Sequence, residues 1–77
     1  MAHHELKILP KYFDAVVSGV KNFEVRKDDR GYEVDDTLDL LEYDGNYTGQ
    51  RLSGLKVVYV LRNSDGLADG YCVLGLM

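Results

Sequence analysis

Three side chains that could recognise a polar ligand lie close together in the sequence: Lys21, Glu24 and Arg26. A guanidinium presents a planar donor fork to a phosphate or base edge, and an ammonium supplies a point charge. A carboxylate accepts hydrogen bonds from an exocyclic amine or a ribose hydroxyl. The same residues could instead form an ordinary ion pair on a partly exposed strand, worth at most about 1 kcal/mol. Whether this segment binds a ligand depends on which of these two arrangements the residues adopt.

The segment that carries these residues predicts a turn followed by a short strand. Strand alternation places Phe23 and Val25 on one face and Asn22, Glu24 and Arg26 on the other. We expect the apolar face to enter the core. The opposite face would then present a carboxylate beside a guanidinium.

Tyrosines offer a second kind of contact, because unpaired bases stack on aromatic rings in many small β domains. Tyr32, Tyr43 and Tyr47 fall at predicted turns or strand ends, and they are the candidates for stacking. Tyr12 and Tyr59 have apolar spacing and are expected in the core. Any one of these rings, taken singly, is more typical of packing than of ligand contact.

The net charge of −4 argues against a protein that coats nucleic acid through bulk electrostatics. The charge is unevenly distributed: residues 1–31 contain six Lys/Arg against five acids, and residues 32–77 contain three against eight. We therefore expect an anionic partner to dock near the N-terminal half through a few contacts, with Lys7 among them.

Size and composition indicate one domain over residues 1–77, 45% hydrophobic, with a core that must be used efficiently. The lone Cys72 excludes an internal disulfide and is expected to be buried filler. No spacing of metal ligands and no phosphate-binding glycine pattern is present, so no metal and no cofactor are predicted. No apolar run reaches the roughly 18 residues of a membrane span and no signal peptide is evident. We expect a cytoplasmic protein without membrane contact.

The periodicity predicts a β-α-β-β-β-β order. Pro10 suits the first turn of a helix, and Gly19 suits its end. Short connections favour a mostly antiparallel sheet that curls into a partly closed barrel, because closure removes exposed edges. The fold class is thus α+β, mainly β, with strands over residues 5–8, 22–27, 37–43, 52–61 and 71–76 and one helix over residues 10–18.

Several motifs in this order are characteristic when taken together. They are His4-Glu5-Leu6-Lys7, Gly19-x-Lys21-x-x-Glu24-x-Arg26, Val34-Asp35-Asp36-Thr37-Leu38, Glu42-Tyr43-Asp44, Tyr47-Thr48-Gly49 and Gly70-Tyr71-Cys72-Val73-Leu74-Gly75. The chain resembles the ASCH domains of the PUA-like superfamily, and more narrowly a small bacterial and phage branch of unknown function. The similarity spans nearly the whole chain.

The resemblance implies a PUA-type barrel with a cleft between barrel and helix, lined by Lys21, Glu24 and Arg26. It also implies RNA binding, and some ASCH proteins hydrolyse acylated nucleosides or cleave RNA. The amidohydrolases have a Thr where this chain has Glu24, which disfavours acyl-transfer chemistry here. The usual Gly at a strand-entry turn is replaced by Asp35.

Three functions follow, in order of preference. The first is an RNA- or nucleotide-binding module without catalysis, using Lys21, Glu24 and Arg26 with Lys7, Tyr43 and Tyr47. The second is a hydrolase acting on modified nucleosides or RNA, with Lys21 and Glu24 as catalytic groups. The third is a protein-interaction module from a mobile element that binds through an acidic face of residues 33–44.

Overall fold

A computed structural model describes all residues from 1 to 77. The chain forms one five-stranded sheet and one helix, with strand order β1-β3-β4-β5-β2. β1 pairs with β3 in parallel, and the other three pairs of neighbours are antiparallel, so the sheet is mixed and, as expected, mostly antiparallel. The predicted fold class, mainly β with a short helix after the first strand, is confirmed. The elements are β1 His3–Ile8, α1 Pro10–Val17, β2 Phe23–Lys27, β3 Thr37–Tyr43, β4 Tyr47–Leu61 and β5 Tyr71–Leu76.

The core lies between one face of the sheet and α1. Every strand except β2 contributes aliphatic or sulfur side chains to it, and α1 adds two residues. Burying such side chains is the main favourable term in folding, at about 25 cal/mol per Å². The core residues are Leu6, Ile8, Phe13, Val16, Tyr32, Leu38, Leu40, Val57, Cys72, Leu74 and Leu76.

α1 begins at Pro10, as the sequence predicts, and buries Phe13 and Val16. At eight residues it is too short to be stable alone and depends on packing against the sheet. Tyr12 lies at its partly exposed flank, so the prediction of a core role for Tyr12 is wrong. This single helix is also far from the length and apolar character that crossing a membrane demands.

β4 is longer than predicted and changes face along its length. Its pairing with β5 shifts between Val57 and Tyr59, which marks a bulge. Because a bulge reverses the alternation of side chains, Val57 and Val60 face the core while Tyr59 is 62% exposed. The predicted core position of Tyr59 is therefore wrong.

The sheet curls but remains open, with β1 and β2 as its edges. Two arginines join β2 and the chain after it to the free edge of β1. Arg26 Nη1 donates to the Lys7 carbonyl at 3.0 Å, and Arg30 Nη1 donates to the Glu5 carbonyl at 3.0 Å. The partly closed barrel expected from the sequence is thus bridged at this seam by side chains, not by a backbone ladder.

Asp36 fixes the start of β1 from the turn before β3. Its carboxylate accepts the Ala2 N–H at 2.8 Å and the Glu33 N–H at 3.0 Å, and it contacts His4 Nε2 at 2.9 Å. The His4 hydrogen bond, with these backbone donors, outweighs burial and lowers the pKa of Asp36 to about 2. The carboxylate therefore stays ionised inside the fold.

Two further expectations are corrected here. Tyr32 is only 1% exposed and packs edge-on against His4, with ring centres 4.8 Å apart, so it is not a stacking platform. Asp36 and Asp39 are buried, and Asp35 pairs with Lys56 at 3.2 Å. Asp36 and Asp39 are therefore removed from the acidic face expected over residues 33–44, whereas Glu33, Asp35 and Asp44 remain exposed.

Candidate functional site

The end of α1 positions Lys21. Gly19 adopts a φ of +81°, a left-handed conformation that suits glycine and ends the helix. The N–H groups of Val20 and Lys21 then both donate to the Ala15 carbonyl at 3.0 Å. This fold-back places the Lys21 ammonium 5.4 Å from the centre of the Tyr12 ring.

β2 places Glu24 on the inner face, the reverse of the predicted arrangement. Glu24 is 4% exposed, while Phe23 and Val25 are 43% and 53% exposed. The alternation itself is as predicted, but alternation does not determine which face of an edge strand turns inward. The inward carboxylate is tolerated because Lys21 and Arg26 supply opposite charge.

Three charged groups converge at this point. The Lys21 ammonium donates to Glu24 Oε1 and to the Phe23 carbonyl, the latter at 2.7 Å. Arg26 Nη1 lies 3.6 Å from Glu24 Oε2, an ion pair longer than a hydrogen bond. The side chains of all three are mostly shielded from water. The structure thus brings together the three motif residues that the sequence predicted.

A cleft of about 500 Å³ opens beside this cluster, between α1 and β2. The Lys21 ammonium also lies 5.0 Å from the centre of the Phe23 ring, so it stands near two aromatic walls. Arg26 does not line the cleft and lies behind Glu24, bonded to the Lys7 carbonyl. The cleft therefore offers aromatic surface, an anionic acceptor and a cationic donor side by side. Its lining residues are Tyr12, Lys21, Phe23, Glu24 and Val25.

Lys7, Tyr43 and Tyr47 form a separate cluster. The Lys7 ammonium lies 4.5 Å from the centre of the Tyr43 ring and 5.7 Å from that of Tyr47. The two rings meet edge-to-face with centres 5.1 Å apart. The hydrogen bond from Arg26 to the Lys7 carbonyl links this cluster to the charged group of Lys21, Glu24 and Arg26. The predicted binding residues therefore form two neighbouring groups rather than one pocket.

Sequence reasoning missed a third cluster, formed by His3, Glu5, Asp39 and Arg51. Ligand atoms of the first three lie within 4.8 Å of one another. Arg51 Nη2 donates to Glu5 at 2.6 Å and to Asp39 at 2.7 Å, so a guanidinium already balances the carboxylates that a metal ion would need. Burial would raise the pKa of Asp39, but hydrogen bonds from Arg51 and from the Gly54 N–H outweigh it and lower that pKa.

A signal for this third cluster was present in the sequence. His3 and Glu5 share a face of β1 by alternation, and Asp39 lies opposite Glu5 in the parallel register. Only the β1–β3 pairing, which the sequence does not specify, brings them together. The cluster is a network of satisfied ion pairs on the outer face.

Two interior groups are protected from reaction. Burial raises the pKa of the Cys72 thiol, which keeps it protonated and confirms the expected role as buried filler. Burial also raises the pKa of the Tyr32 phenol, although the charges of Arg26 and Arg30 oppose the rise. Neither group is an activated nucleophile.

Residues 3–76 match the profile of a family described as a domain of unknown function, DUF3850. The chain belongs to the DUF3850 family. Over 67 residues this DUF3850 chain is 45% identical to an uncharacterized 12.9 kDa protein in the GpA 3' region of Escherichia phage P2. The aligned segment covers 86% of the DUF3850 chain and 61% of the phage protein, so the chain spans less than two thirds of that relative's length. These matches agree with the expected phage-related group of unknown function.

Proposed function

We propose that this DUF3850 chain is an RNA- or nucleotide-binding module of ASCH type that holds its ligand without catalysis. The ligand occupies the cleft beside Lys21, Glu24 and Arg26. One observation carries the proposal: a buried carboxylate, held between two cations, lines a cleft that has aromatic walls.

The energetics of the cluster favour a role in binding over one in stability. Removing a charged pair from water costs several kcal/mol per ion, and an apolar replacement of similar size is often equally stable. The fold therefore has little need of Glu24 and Lys21 at this position. A ligand that pairs with them in a partly dry cleft gains more than it would on the open surface.

The aromatic walls complement the charges. Tyr12 and Phe23 are each 43% exposed although both belong to ordered elements. Exposed rings beside a cation suit a flat, polar ligand, and stacking contributes about 1–3 kcal/mol per base. A nucleobase has both the flat face and the polar edge that this cleft can contact.

The cluster of Lys7, Tyr43 and Tyr47 supplies a second contact. The Lys7 ammonium supplies a phosphate contact, and the rings of Tyr43 and Tyr47 supply a stacking surface. Arg26 joins this cluster to Glu24, because it donates to the Lys7 carbonyl. A strand of RNA longer than one nucleotide would span both groups. Since the net charge is −4, we expect few phosphate contacts and a shallow salt dependence of affinity.

Binding is favoured over hydrolysis by the residues that line the cleft. None of them is Ser, Thr or Cys, so the cleft lacks the usual hydroxyl or thiol nucleophile. Hydrolysis of modified nucleosides would have to rely on Lys21 and Glu24 alone. The interaction-module alternative has fewer acidic residues available than the sequence suggests, because Asp36 and Asp39 are buried and Asp35 is paired with Lys56.

The direct test is a titration of the protein with labelled single-stranded oligoribonucleotides, tRNA and modified nucleosides, followed by fluorescence anisotropy or calorimetry. We expect Lys21→Ala to weaken binding at least about ten-fold, the effect of one charge-assisted hydrogen bond, and Arg26→Ala to weaken it less, because Arg26 acts only through Glu24. Lys56→Ala is the matched control, since Lys56 is an exposed lysine paired only with Asp35.

Circular dichroism on each variant shows whether the fold is retained. Equal affinity in wild type, Lys21→Ala and Arg26→Ala would place any bound RNA elsewhere on the molecule. Turnover of an acylated cytidine that Glu24→Gln abolishes would replace the proposal with the hydrolase.

A further inference from the structure

We infer that the cleft selects guanine over the other bases, through Glu24 and Lys21. This inference rests on the proposed binding function and adds the class of ligand. It follows from the hydrogen-bonding capacity that remains unused at the two side chains that line the cleft.

Glu24 can accept further hydrogen bonds from a ligand. An ionised carboxylate offers about four acceptor sites and no donor. In the structure Lys21 occupies one site on Oε1, and Arg26 stays 3.6 Å from Oε2, beyond hydrogen-bond distance. Both oxygens therefore retain acceptor capacity.

Lys21 can donate one further hydrogen bond. An ammonium has three N–H donors. One is directed to the Phe23 carbonyl and one to Glu24 Oε1, which leaves a single N–H next to that oxygen. Because Glu24 and Lys21 both line the cleft, we infer that a ligand there meets two carboxylate acceptors with one ammonium donor beside them.

Guanine is the common base whose edge complements this pattern. Its N1–H and N2–H₂ are adjacent donors, and O6 is an acceptor beside N1–H. Adenine and neutral cytosine place a donor next to a ring acceptor, which would face a carboxylate lone pair, and uracil has one donor between two acceptors. Proteins read such edges on unstacked bases through direct hydrogen bonds. Tyr12 and Phe23 would contact the faces of the purine ring.

The test uses the wild-type protein and short single-stranded oligouridylates that carry one guanosine, adenosine, cytidine or inosine. We expect the guanosine oligomer to bind at least about ten-fold more tightly than the adenosine and cytidine oligomers. Inosine keeps O6 and N1–H but lacks the 2-amino group. We expect it to bind about ten-fold or more weaker than guanosine, the loss of one charge-assisted hydrogen bond.

Glu24→Gln provides the second arm, because an amide offers one donor and one acceptor in nearly the same volume. We expect this variant to lose the guanosine preference, with guanosine and adenosine oligomers bound within about three-fold of each other. Glu33→Gln, a change at an exposed glutamate outside the cleft, should keep the preference. Circular dichroism checks that both variants fold.

The outcomes separate the two claims. Similar affinity for all four oligomers, reduced in Lys21→Ala, would support nucleotide binding and overturn the choice of guanine. No binding of any oligomer would overturn both. A preference for guanosine that persists in Glu24→Gln would overturn the assigned role of Glu24.

Discussion

Two ion clusters of similar composition lie on opposite faces of the sheet. One joins Lys21, Glu24 and Arg26 on the inner face of β2, and the other joins Arg51 to Glu5 and Asp39 on the outer face of β1, β3 and β4. In the first, the Lys21 side chain is 16% exposed and borders a cleft; in the second, the Arg51 side chain is 47% exposed and both of its partners are satisfied.

The difference shows what distinguishes a candidate binding site from a surface network. Both clusters contain short contacts between opposite charges, so the number of ion pairs does not separate them. Desolvation and an adjoining cavity do separate them, because a buried charge interacts strongly and a cavity beside it lets a ligand reach that charge. Variants in the two clusters should therefore respond differently.

The largest effect is expected at Glu24. Glu24→Ala leaves Lys21 and Arg26 without their shared carboxylate, and we expect a loss of about 3 kcal/mol in the free energy of unfolding. The double variant Lys21→Met/Glu24→Leu removes the Lys21 and Glu24 charges and leaves Arg26 with its hydrogen bond to the Lys7 carbonyl. It should regain stability to within about 1 kcal/mol of wild type while losing ligand binding. Urea denaturation measures both. A double variant as unstable as Glu24→Ala would mean that the pair serves the fold itself.

An intermediate effect on stability is expected at Asp36, a buried carboxylate that does not line the cleft. Its folded pKa of about 2 lies below its ordinary value of 3.8, so its contribution to stability is present above pH 4 and is lost as the pH falls towards 2. This contribution is roughly 2 kcal/mol. Asp36→Asn should lose about that much at neutral pH and flatten the decline between pH 4 and 2. Denaturation at several pH values, with exposed Asp65→Asn as control, checks the effect; an unchanged slope would contradict it.

Arg51 should matter less, in keeping with its exposure. We expect Arg51→Gln to lower the free energy of unfolding by less than about 1 kcal/mol, and the loss should shrink in high salt, since salt screens exposed charges. RNA affinity should be unchanged. A loss of several kcal/mol, or a large drop in affinity, would show that the outer cluster is more than a surface network.

The smallest effect is expected at Asp35, which pairs with Lys56 in an exposed position. Asp35 has a φ of +78°, where most side chains are strained. Asp35→Gly removes the pair but relieves this strain, so we expect a gain of about 0.5 kcal/mol. Thermal unfolding compares it with Lys56→Ala, which removes only the pair. Destabilisation by Asp35→Gly would mean that the Asp35–Lys56 ion pair contributes more to stability than the relief of backbone strain does.

Most elements of the fold were predictable because local patterns define them. Pro10 and Gly19 delimit α1, and alternating Leu38 and Leu40 specify β3 and its inner face. The parallel pairing of β1 with β3 was not predictable, because it depends on contacts between residues more than thirty positions apart. The same limit applies to the candidate site. The spacing of Lys21, Glu24 and Arg26 predicts that they lie close together, but it does not predict that they lie on the inner face of the sheet.

The errors have a common physical cause. Alternation of apolar and polar residues divides a strand into two faces, but which face turns toward the core depends on the groups that cover it. The apolar character of Phe23 and Val25 predicts that they face inward. In the structure Tyr32, from the loop after β2, fills the interior instead, and Lys21 neutralises the inward-facing Glu24. At Tyr59 a bulge in β4 reverses which side chains face the core, midway along the strand.

The guanidinium bridges between β2 and β1 have a consequence for the spacing of these two strands. A backbone ladder fixes the distance between strands, whereas the reach of Arg26 and Arg30 can change by rotation about side-chain bonds. The two edges can therefore separate and return without loss of any strand pairing. The width of this seam can thus change through rotation about side-chain bonds, while the hydrogen-bonded strand pairs stay intact.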